Sequence, residues 1–493
     1  MLWMRANLIF PTLLAALFLS VVSAPADVII LKNGRRIVAD SVTEAGDKVS
    51  YERFGGEVTI PKSLVDRIEK GGYAPRRSRS APRRGTSDLD PGKQLSSEIR
   101  LPDMEIESEM ESIVRDGAVD EQYLQFLART ANTGEMERQN AVNAYLVAAF
   151  FEARKQRFNQ ASRWAEQALR LSRRDFNALL LAAQIDIIRQ QYGEAIDHLL
   201  LAERIEPKSP YALTLLGHAY YYSEGPEKAA RYWKQAQALR PDEKLAAKLQ
   251  ELIRQAEREA QVEGRFANAR SGQFTLNWEG SEVSDPFSRE ILATLEQQYR
   301  DLEFALDYSP REPIMVILYT ARQFMDITQA PAWVGALNDG KIRVPVAGLS
   351  SVTGELASVL KHEMVHSFIY RQVQGRCPTW LHEGLAQMES GDRLSRAGPA
   401  LAEIYSESRQ IPLAELEGSF MGFDSSRAGL AYAESLAAVA MIRDQYGAYQ
   451  LPYLLKLLGQ GSSITAAIRS ALRTDYADLD AELGSYLKRR YGR

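Results

Sequence analysis

Two short segments of the sequence combine the residue types that bind metals and activate water. They are residues 361–366 (KHEMVH) and residues 380–386 (WLHEGLA). In a helix, His362 and His366 lie one turn apart on the same face, so both imidazoles can reach one ion. Glu363 projects from the neighbouring position, where its carboxylate can act on a water molecule. The chemistry predicted from this pattern is metal-assisted hydrolysis, with zinc as the metal.

A zinc ion that keeps one tetrahedral position open needs three protein ligands, and Glu383 in the second segment is the best candidate for the third. The alternative is that the HExxH pattern arose by chance on an amphipathic helix. The histidine distribution favours a metal site, because three of the five histidines in the chain fall within 21 residues. His382 lies 16 residues beyond His366, which leaves room for a turn at Gly375 and Pro378 and a returning helix.

The two motifs together resemble the gluzincin metallopeptidases, the thermolysin-like group, and in particular its bacterial peptidase MA-like branch. The resemblance runs from about residue 273 to the C-terminus and includes residues 314–319, 331–340, 342–345 and 431–435 (AYAES). It implies that His362, His366 and Glu383 are zinc ligands and that Glu363 is the general base.

The chain departs from this family pattern at one residue and in one spacing. Several thermolysin-like enzymes carry a carboxylate four residues after the ligand glutamate, where it orients a histidine, whereas this chain has Gln387. An amide carries no charge, so we expect weaker support for the ligands. The spacer before Glu383 is also slightly shorter than in the best-known members.

By resemblance, Tyr432 lies near the metal, where its hydroxyl could donate to a developing oxyanion. The alternative is an aromatic ring packed beneath the site.

Length and composition exclude some classes of protein. A chain of 493 residues is too long for one ordinary core, so two or three folded domains are expected. Hydrophobic residues make up 45% and charged residues 25%, as in a soluble globular protein. The net charge of -4 argues against nucleic-acid binding, because a phosphate-binding face usually leaves a chain basic.

Residues 1–26 are interpreted as a cleavable signal peptide, which predicts a secreted or periplasmic protein. The alternative, an uncleaved membrane anchor, is disfavoured because the apolar run of residues 8–22 is short and contains Pro11. No later segment is apolar enough to cross a membrane. Cys377 is the only cysteine, so no internal disulfide can form. It lies between the two zinc motifs, and we interpret it as a small packing residue rather than a ligand.

Two N-terminal segments follow the signal. Residues 27–70 alternate short apolar runs with turn signals, which predicts a small β-module resembling a barrel. It could be a lid on its neighbours or a targeting or binding module. Residues 71–102 are rich in glycine, proline and arginine and are predicted to form a flexible basic linker. Such a linker is usually only solvated; contact with an anionic envelope surface is the alternative.

Residues 103–262 carry an internal repeat with a period of 34 residues. Small residues recur at this spacing, as at Ala161, Ala195 and Ala229. They let paired helices approach closely, and the pattern resembles the tetratricopeptide repeat. Three units are predicted, at 142–175, 176–209 and 210–243, followed by a capping helix. We expect these repeats to bind a protein partner and His198 and His218 to be structural.

Residues 263–493 are predicted to form an α+β gluzincin-like metallopeptidase domain, with strands first and the site on helices. Thr353 is the predicted N-cap of the motif helix. Residues 341–346 alternate in polarity and are predicted to be an edge strand that pairs with an extended peptide substrate. The alternative is that the chain itself covers this strand.

The sequence as a whole predicts a multidomain α+β protein that acts as a zinc metallopeptidase on peptides or unfolded proteins. The rival hypothesis is a non-catalytic cell-envelope scaffold, in which the repeats bind a partner and the zinc site is structural or vestigial.

Overall fold

The computed structural model describes residues 27–32, 36–39, 41–53, 56–69, 110, 112–115, 117–281, 283–328, 336–346 and 348–492. The predicted signal peptide (1–26) and linker (71–102) lie outside these residues. Three successive groups of elements each bury an apolar core of their own. Within the described part of the chain, no helix is long and apolar enough to cross a bilayer.

The N-terminal group contains six strands. These are β1 Asp27–Leu31, β2 Arg36–Ala39, β3 Ser41–Ala45, β4 Lys48–Arg53, β5 Gly56–Pro61 and β6 Val65–Glu69. They form two antiparallel sheets with the strand orders β2-β1-β6 and β3-β4-β5. The predicted barrel is therefore wrong for the described residues, because no strand of one sheet pairs with a strand of the other. Ile29, Val42, Val49 and Tyr51 form the small core.

A hairpin of β7 Val114–Arg115 and β8 Ala118–Val119 leads into eight helices, which we call the helical array. The array consists of α1 Glu121–Thr130, α2 Glu135–Arg154, α3 Phe158–Leu171, α4 Phe176–Ile188, α5 Tyr192–Ile205, α6 Pro210–Ser223, α7 Pro226–Ala238 and α8 Glu243–Glu263. The second helices of three successive pairs, α3, α5 and α7, begin 34 residues apart.

The small residues of the repeat lie where helices of the array meet. Ala161, Ala195 and Ala229 are fully buried. A methyl group on Gly217 would lie 2.2 Å from Nε1 of Trp233, so only glycine allows this approach. The predicted helix pairs and their spacing thus agree with the structure, whereas membership of the tetratricopeptide family stays a prediction.

The remaining elements form the C-terminal region, residues 267–491. Its strands are β9 Ala267–Arg270, β10 Phe274–Trp278, β11 Ile314–Tyr319, β12 Leu337–Asn338 and β13 Ile342–Pro345. Its helices are α9 Asp285–Leu306, α10 Ala321–Thr328, α11 Gly354–Val373, α12 Thr379–Ser390, α13 Gly398–Ser406, α14 Ser425–Tyr446, α15 Gln450–Gly459, α16 Ile464–Leu472 and α17 Tyr476–Tyr491.

One mixed sheet supports the C-terminal region, with the strand order β12-β13-β11-β10-β9. β10, β11 and β13 are parallel, and the outer strands β9 and β12 run antiparallel to their neighbours. Every residue of β11 is buried. Its side chains alternate between two apolar clusters, with Val316 in the cluster that contains α9 and α11 and Ile317 in the cluster that contains α10.

The helix that carries the first motif, α11, begins and ends as the sequence predicts. The hydroxyl of Thr353 accepts a hydrogen bond from the backbone N–H of Leu356 at 3.1 Å, which caps the helix. At the other end Gln374 and Gly375 have φ of 57° and 77°, so the chain reverses there. Pro378 then precedes α12, which carries the second motif.

The prediction that residues 341–346 form a free edge is wrong. β13 lies between β11 and β12, with Ile342 paired with Asn338 and Arg343 paired with Leu337. Lys341 is fully buried and Arg343 is 1% exposed. The helical array covers these two side chains, because Glu259 on α8 lies 3.3 Å from the Arg343 guanidinium. The alternative stated above, a strand covered by the chain itself, is the observed arrangement.

Candidate metal centre

Three side chains from the two motifs converge between α11 and α12. The carboxylate Oε2 of Glu383 lies 3.7 Å from His362 Nε2 and 3.8 Å from His366 Nε2. All three candidate ligand atoms lie within 4.8 Å of one another. Ligands held tetrahedrally at about 2.0–2.1 Å from zinc are roughly 3.4 Å apart. The observed spacing therefore fits one ion of this size after a small contraction.

Burial prepares the two histidines for metal binding. It lowers the pKa of His362 and lowers the pKa of His366 well below its usual value, with His382 and His362 adding to the effect at His366. A neutral imidazole is the form that coordinates a metal. The His362 ring also hydrogen-bonds the Ala386 backbone carbonyl, which helps to fix its orientation.

The two carboxyl groups of the site share a desolvated environment. Burial raises the pKa of Glu363 to about 8, with a further contribution from Glu383, and burial raises the pKa of Glu383 to about 7. A divalent cation among these groups would favour their charged forms. The arrangement therefore suits a ligand carboxylate and a second carboxylate able to exchange a proton near neutral pH.

Contacts between α11 and α12 fix the positions of the two motifs relative to each other. Ser358 donates to the backbone carbonyl of Ser390 at 2.6 Å, and Lys361 lies 3.9 Å from Glu389. α14 packs on the other side of α12 at Gly384. A methyl group there would lie 2.3 Å from the Ser435 carbonyl oxygen. The glycine that follows Glu383 is thus required by packing.

Asn338 on the edge strand β12 contacts the motif helix directly, and the sequence analysis did not single it out. Its Nδ2 donates to the Glu363 backbone carbonyl and to the Ser367 hydroxyl, each at 2.7 Å. The Asn-Asp-Gly turn that begins at Asn338 is visible in the sequence, but its contact with α11 depends on the sheet order. This contact fixes the edge of the sheet beside the general base predicted for the site.

Gln387 does not orient a histidine. Its Nε2 donates to the backbone carbonyls of Glu383, at 3.2 Å, and Tyr432, at 3.0 Å. Among the described residues, Nδ1 of His366 is buried and has no hydrogen-bond partner. The hydrogen bond that usually orients a zinc-binding histidine is therefore not made at His366 Nδ1 by the described residues.

Tyr432 lies on α14 close to both carboxylates. Burial raises the pKa of its hydroxyl well above the usual value, and the charges of Glu383 and Glu363 raise it further. The side chain is nevertheless 40% exposed, and its ring meets Phe420 edge to face at 5.4 Å. A protonated, partly exposed hydroxyl beside the site can donate a hydrogen bond. Its predicted catalytic role stays a prediction.

The other histidines and the cysteine lie outside the metal group. His198 pairs with Asp186 at 3.1 Å inside the helical array, and His218 is buried against Trp233. The His382 ring packs perpendicular to His366 at 4.5 Å. Cys377 packs against the apolar core of the C-terminal region, as the sequence analysis expected.

Comparison with known proteins agrees with the location of this site. Residues 301–489 match the Peptidase MA superfamily. The matched segment contains both motifs and Tyr432, and it supports a gluzincin-like peptidase domain in this part of the chain. A comparison with curated proteins finds no match.

Proposed function

We propose that the protein is a zinc-dependent peptidase, secreted or periplasmic, that hydrolyses peptide bonds in unfolded proteins. The observation that carries the proposal is the convergence of His362, His366 and Glu383 beside Glu363. The match of residues 301–489 to a peptidase superfamily supports the same class of reaction.

Zinc is the proposed metal because it commonly takes two imidazoles and one carboxylate while keeping one position open. When bound, it would polarise the scissile carbonyl and increase the acidity of water. Glu363 would accept a proton from the attacking water and return it to the leaving amine. The Tyr432 hydroxyl would donate to the carbonyl oxygen as negative charge develops there.

The helical array is proposed to bind the substrate or a protein partner, since stacked helix pairs present extended surfaces for such contacts. The secreted or periplasmic location rests on the sequence of residues 1–26 alone. Neither proposal is needed for the hydrolytic chemistry.

Glu363→Gln, studied on the full chain, tests the proposed reaction. We expect about one zinc per chain by elemental analysis in both wild type and variant, and a loss of hydrolysis of an unfolded protein by roughly 10²–10⁴-fold in the variant. The matched control is Glu355→Gln, the same change at an exposed position of the same helix. It should keep its activity.

The metal ligands are tested by His362→Ala and His366→Ala, which should each lose most of the zinc. Undiminished zinc in both variants would contradict the ligand assignment. Equal activity in wild type and Glu363→Gln would place the chemistry elsewhere. Zinc binding without any hydrolysis by the wild type would favour the scaffold hypothesis.

A further inference from the structure

A polar cavity of about 180 Å³ lies where the helical array meets the C-terminal region. Arg189 and Gln190, at the end of α4, line one side. The other side is formed by Arg311 and Glu312, which precede β11, and by Arg371 near the end of the metal-motif helix α11. A single water needs roughly 10–15 Å³, so the cavity has room for a polyatomic ion with its waters.

Arg371 is a buried cation whose hydrogen bonds, among the described residues, all go to neutral acceptors, although the Glu312 carboxyl group is close enough to attract it. It is 6% exposed, and among the described residues it forms no ion pair. Its guanidinium donates to the Gln190 side chain at 2.9 Å and to the backbone carbonyls of Glu312 and Pro313. All three acceptors are neutral. A buried guanidinium is normally matched by a carboxylate or another anion, because its desolvation is costly.

Arg189 also lines the cavity, and one of its donors has no partner in the described part of the chain. Its Nε is buried and has no hydrogen-bond partner among the described residues, although its Nη1 donates to Ser162 at 2.7 Å. Asp186 lies 3.6 Å from Nη1, but its other oxygen is engaged by His198. Arg311 also lines the cavity, so three guanidinium groups face a common space.

The cavity lining holds three guanidinium groups and one carboxyl group. Glu312 is the only carboxyl group among the residues that line the cavity, and its Oε1 accepts the backbone N–H of Gly193 at 3.2 Å. Burial raises the pKa of Glu312 and Glu194 raises it further, whereas the Gly193 backbone N–H and Arg371 act to lower it. Asp186, Glu166 and Glu194 all attract Arg189, and Asp186 is shared with His198.

We propose that this cavity binds a small oxyanion, a phosphate or a carboxylate, between Arg189 of the helical array and Arg371 of the metal-motif helix. The planar guanidinium fork matches the paired oxygens of both ions. Because the two arginines belong to different parts of the chain, the bound ion links the array to α11. It therefore stabilises the folded protein in proportion to its concentration relative to its dissociation constant.

Calorimetric titration of the full chain with inorganic phosphate, at constant ionic strength made up with chloride, tests the site. We expect saturable binding of one phosphate per chain, weakened at least tenfold in both Arg189→Gln and Arg311→Gln. The control Arg300→Gln, an exposed arginine on α9, should bind like wild type. Arg371→Gln is a less direct test, because its carbonyl contacts also support the fold.

The same titration in His366→Ala separates this site from the metal centre. Phosphate binding that persists in that variant belongs to the cavity whether or not the proposed peptidase activity is found. Binding that vanishes there, or that is unchanged in both Arg189→Gln and Arg311→Gln, would overturn the proposal.

Short peptides with a free or an amidated C-terminus identify the source of the oxyanion. Binding of the free acid, lost on amidation, would support a peptide carboxylate as the ligand. Binding of phosphate but of neither peptide would support a phosphate-type ion. If neither phosphate nor the free-acid peptide bound the wild type, the cavity would hold only water and the inference would be wrong.

Discussion

The Tyr432 hydroxyl is a candidate hydrogen-bond donor beside the proposed metal site. It lies close enough to Glu363 and Glu383 for both charges to raise its pKa, which keeps the hydroxyl protonated at neutral pH. Gln387 holds the Tyr432 backbone carbonyl at 3.0 Å, so the residue is tied to the helix that carries Glu383. A donor held in place before the reaction stabilises developing charge most effectively.

Tyr432→Phe should therefore lower kcat by about 10²-fold or more with little change in KM. Zinc content should not change, because the hydroxyl is not a ligand. Steady-state kinetics and elemental analysis measure both effects. Tyr449→Phe, at a 64% exposed position, is the control. An unchanged kcat in Tyr432→Phe would leave ring packing as the role of this residue.

Glu434 gives the fold a pH dependence of its own. The side chain is fully buried, its Oε1 accepts the Ile411 backbone N–H at 3.1 Å, and Oε2 has no partner among the described residues. Burial raises the pKa of Glu434 from 4.5 to about 8. Between these two pH values the folded state binds more protons than the unfolded state, so the free energy of unfolding decreases as pH rises.

Glu434→Gln should reduce the fall in the free energy of unfolding with rising pH, because the amide has the shape of the neutral carboxyl group and does not ionise. One pKa unit corresponds to roughly 1.4 kcal/mol, so the contribution at pH 8 is a few kcal/mol at most. Tm measured from pH 5 to pH 8 should fall less in the variant than in wild type. Glu403→Gln, an exposed carboxylate on α13, should follow the wild-type curve. Parallel curves for wild type and Glu434→Gln would refute the assignment.

At the level of secondary-structure elements, the close contact between α12 and α14 positions the candidate metal ligand Glu383. Gly384 lies next to Glu383, and a methyl group at this position would approach the Ser435 carbonyl oxygen to 2.3 Å and the Val439 side chain to 2.6 Å. Real Cβ atoms do not come so close to backbone. Any side chain at residue 384 must therefore separate the helices that carry Glu383 and Tyr432.

Gly384→Ala should lower the free energy of unfolding by about 1–3 kcal/mol through overpacking. It should also weaken zinc binding, because Glu383 moves with its helix. Chemical denaturation and zinc titration with a chelator measure the two effects. Gly429→Ala on α14 is the matched control, since a methyl group there meets nothing within 4 Å. Wild-type stability and zinc affinity in Gly384→Ala would show that α12 tolerates the shift.

At the scale of the whole molecule, buried charges join the helical array to the sheet of the C-terminal region. Arg343 on β13 lies 3.3 Å from Glu259 and from Glu263 on α8, and 3.2 Å from Asp339. Lys341 lies over the Tyr221 ring at 3.6 Å, which places a second buried cation at the same junction. The array is therefore fixed against β13. The neighbouring strand β12 carries Asn338, which hydrogen-bonds to α11.

Arg343→Met should lower the free energy of unfolding by about 3–5 kcal/mol, because it leaves the three carboxylates buried without their common partner. It should also increase proteolysis between the array and the C-terminal region. Urea denaturation and limited proteolysis measure these changes. Arg270→Met, at an exposed position on the opposite edge of the sheet, should resemble wild type. Equal stability of Arg343→Met and wild type would mean that the ionic contacts contribute nothing net.

The sequence by itself determined the features that depend on local spacing. The three-residue gap between His362 and His366 places both rings on one helical face, and Thr353 caps that helix whatever surrounds it. The 34-residue recurrence of small residues likewise predicted the helix pairs. These features follow from backbone geometry within one or two elements, so no long-range information was needed.

Only the tertiary structure decided which elements lie side by side. Residues 341–346 alternate in polarity like an edge strand, yet β12 and α8 cover them. The buried Arg343 side chain pairs with carboxylates that lie 80 and 84 residues earlier in the chain. Nothing in the sequence indicated the contacts of Asn338 with α11 and of Gly384 with α14. A polarity pattern indicates that a strand has two different faces. Which element covers each face depends on long-range packing and charge pairing.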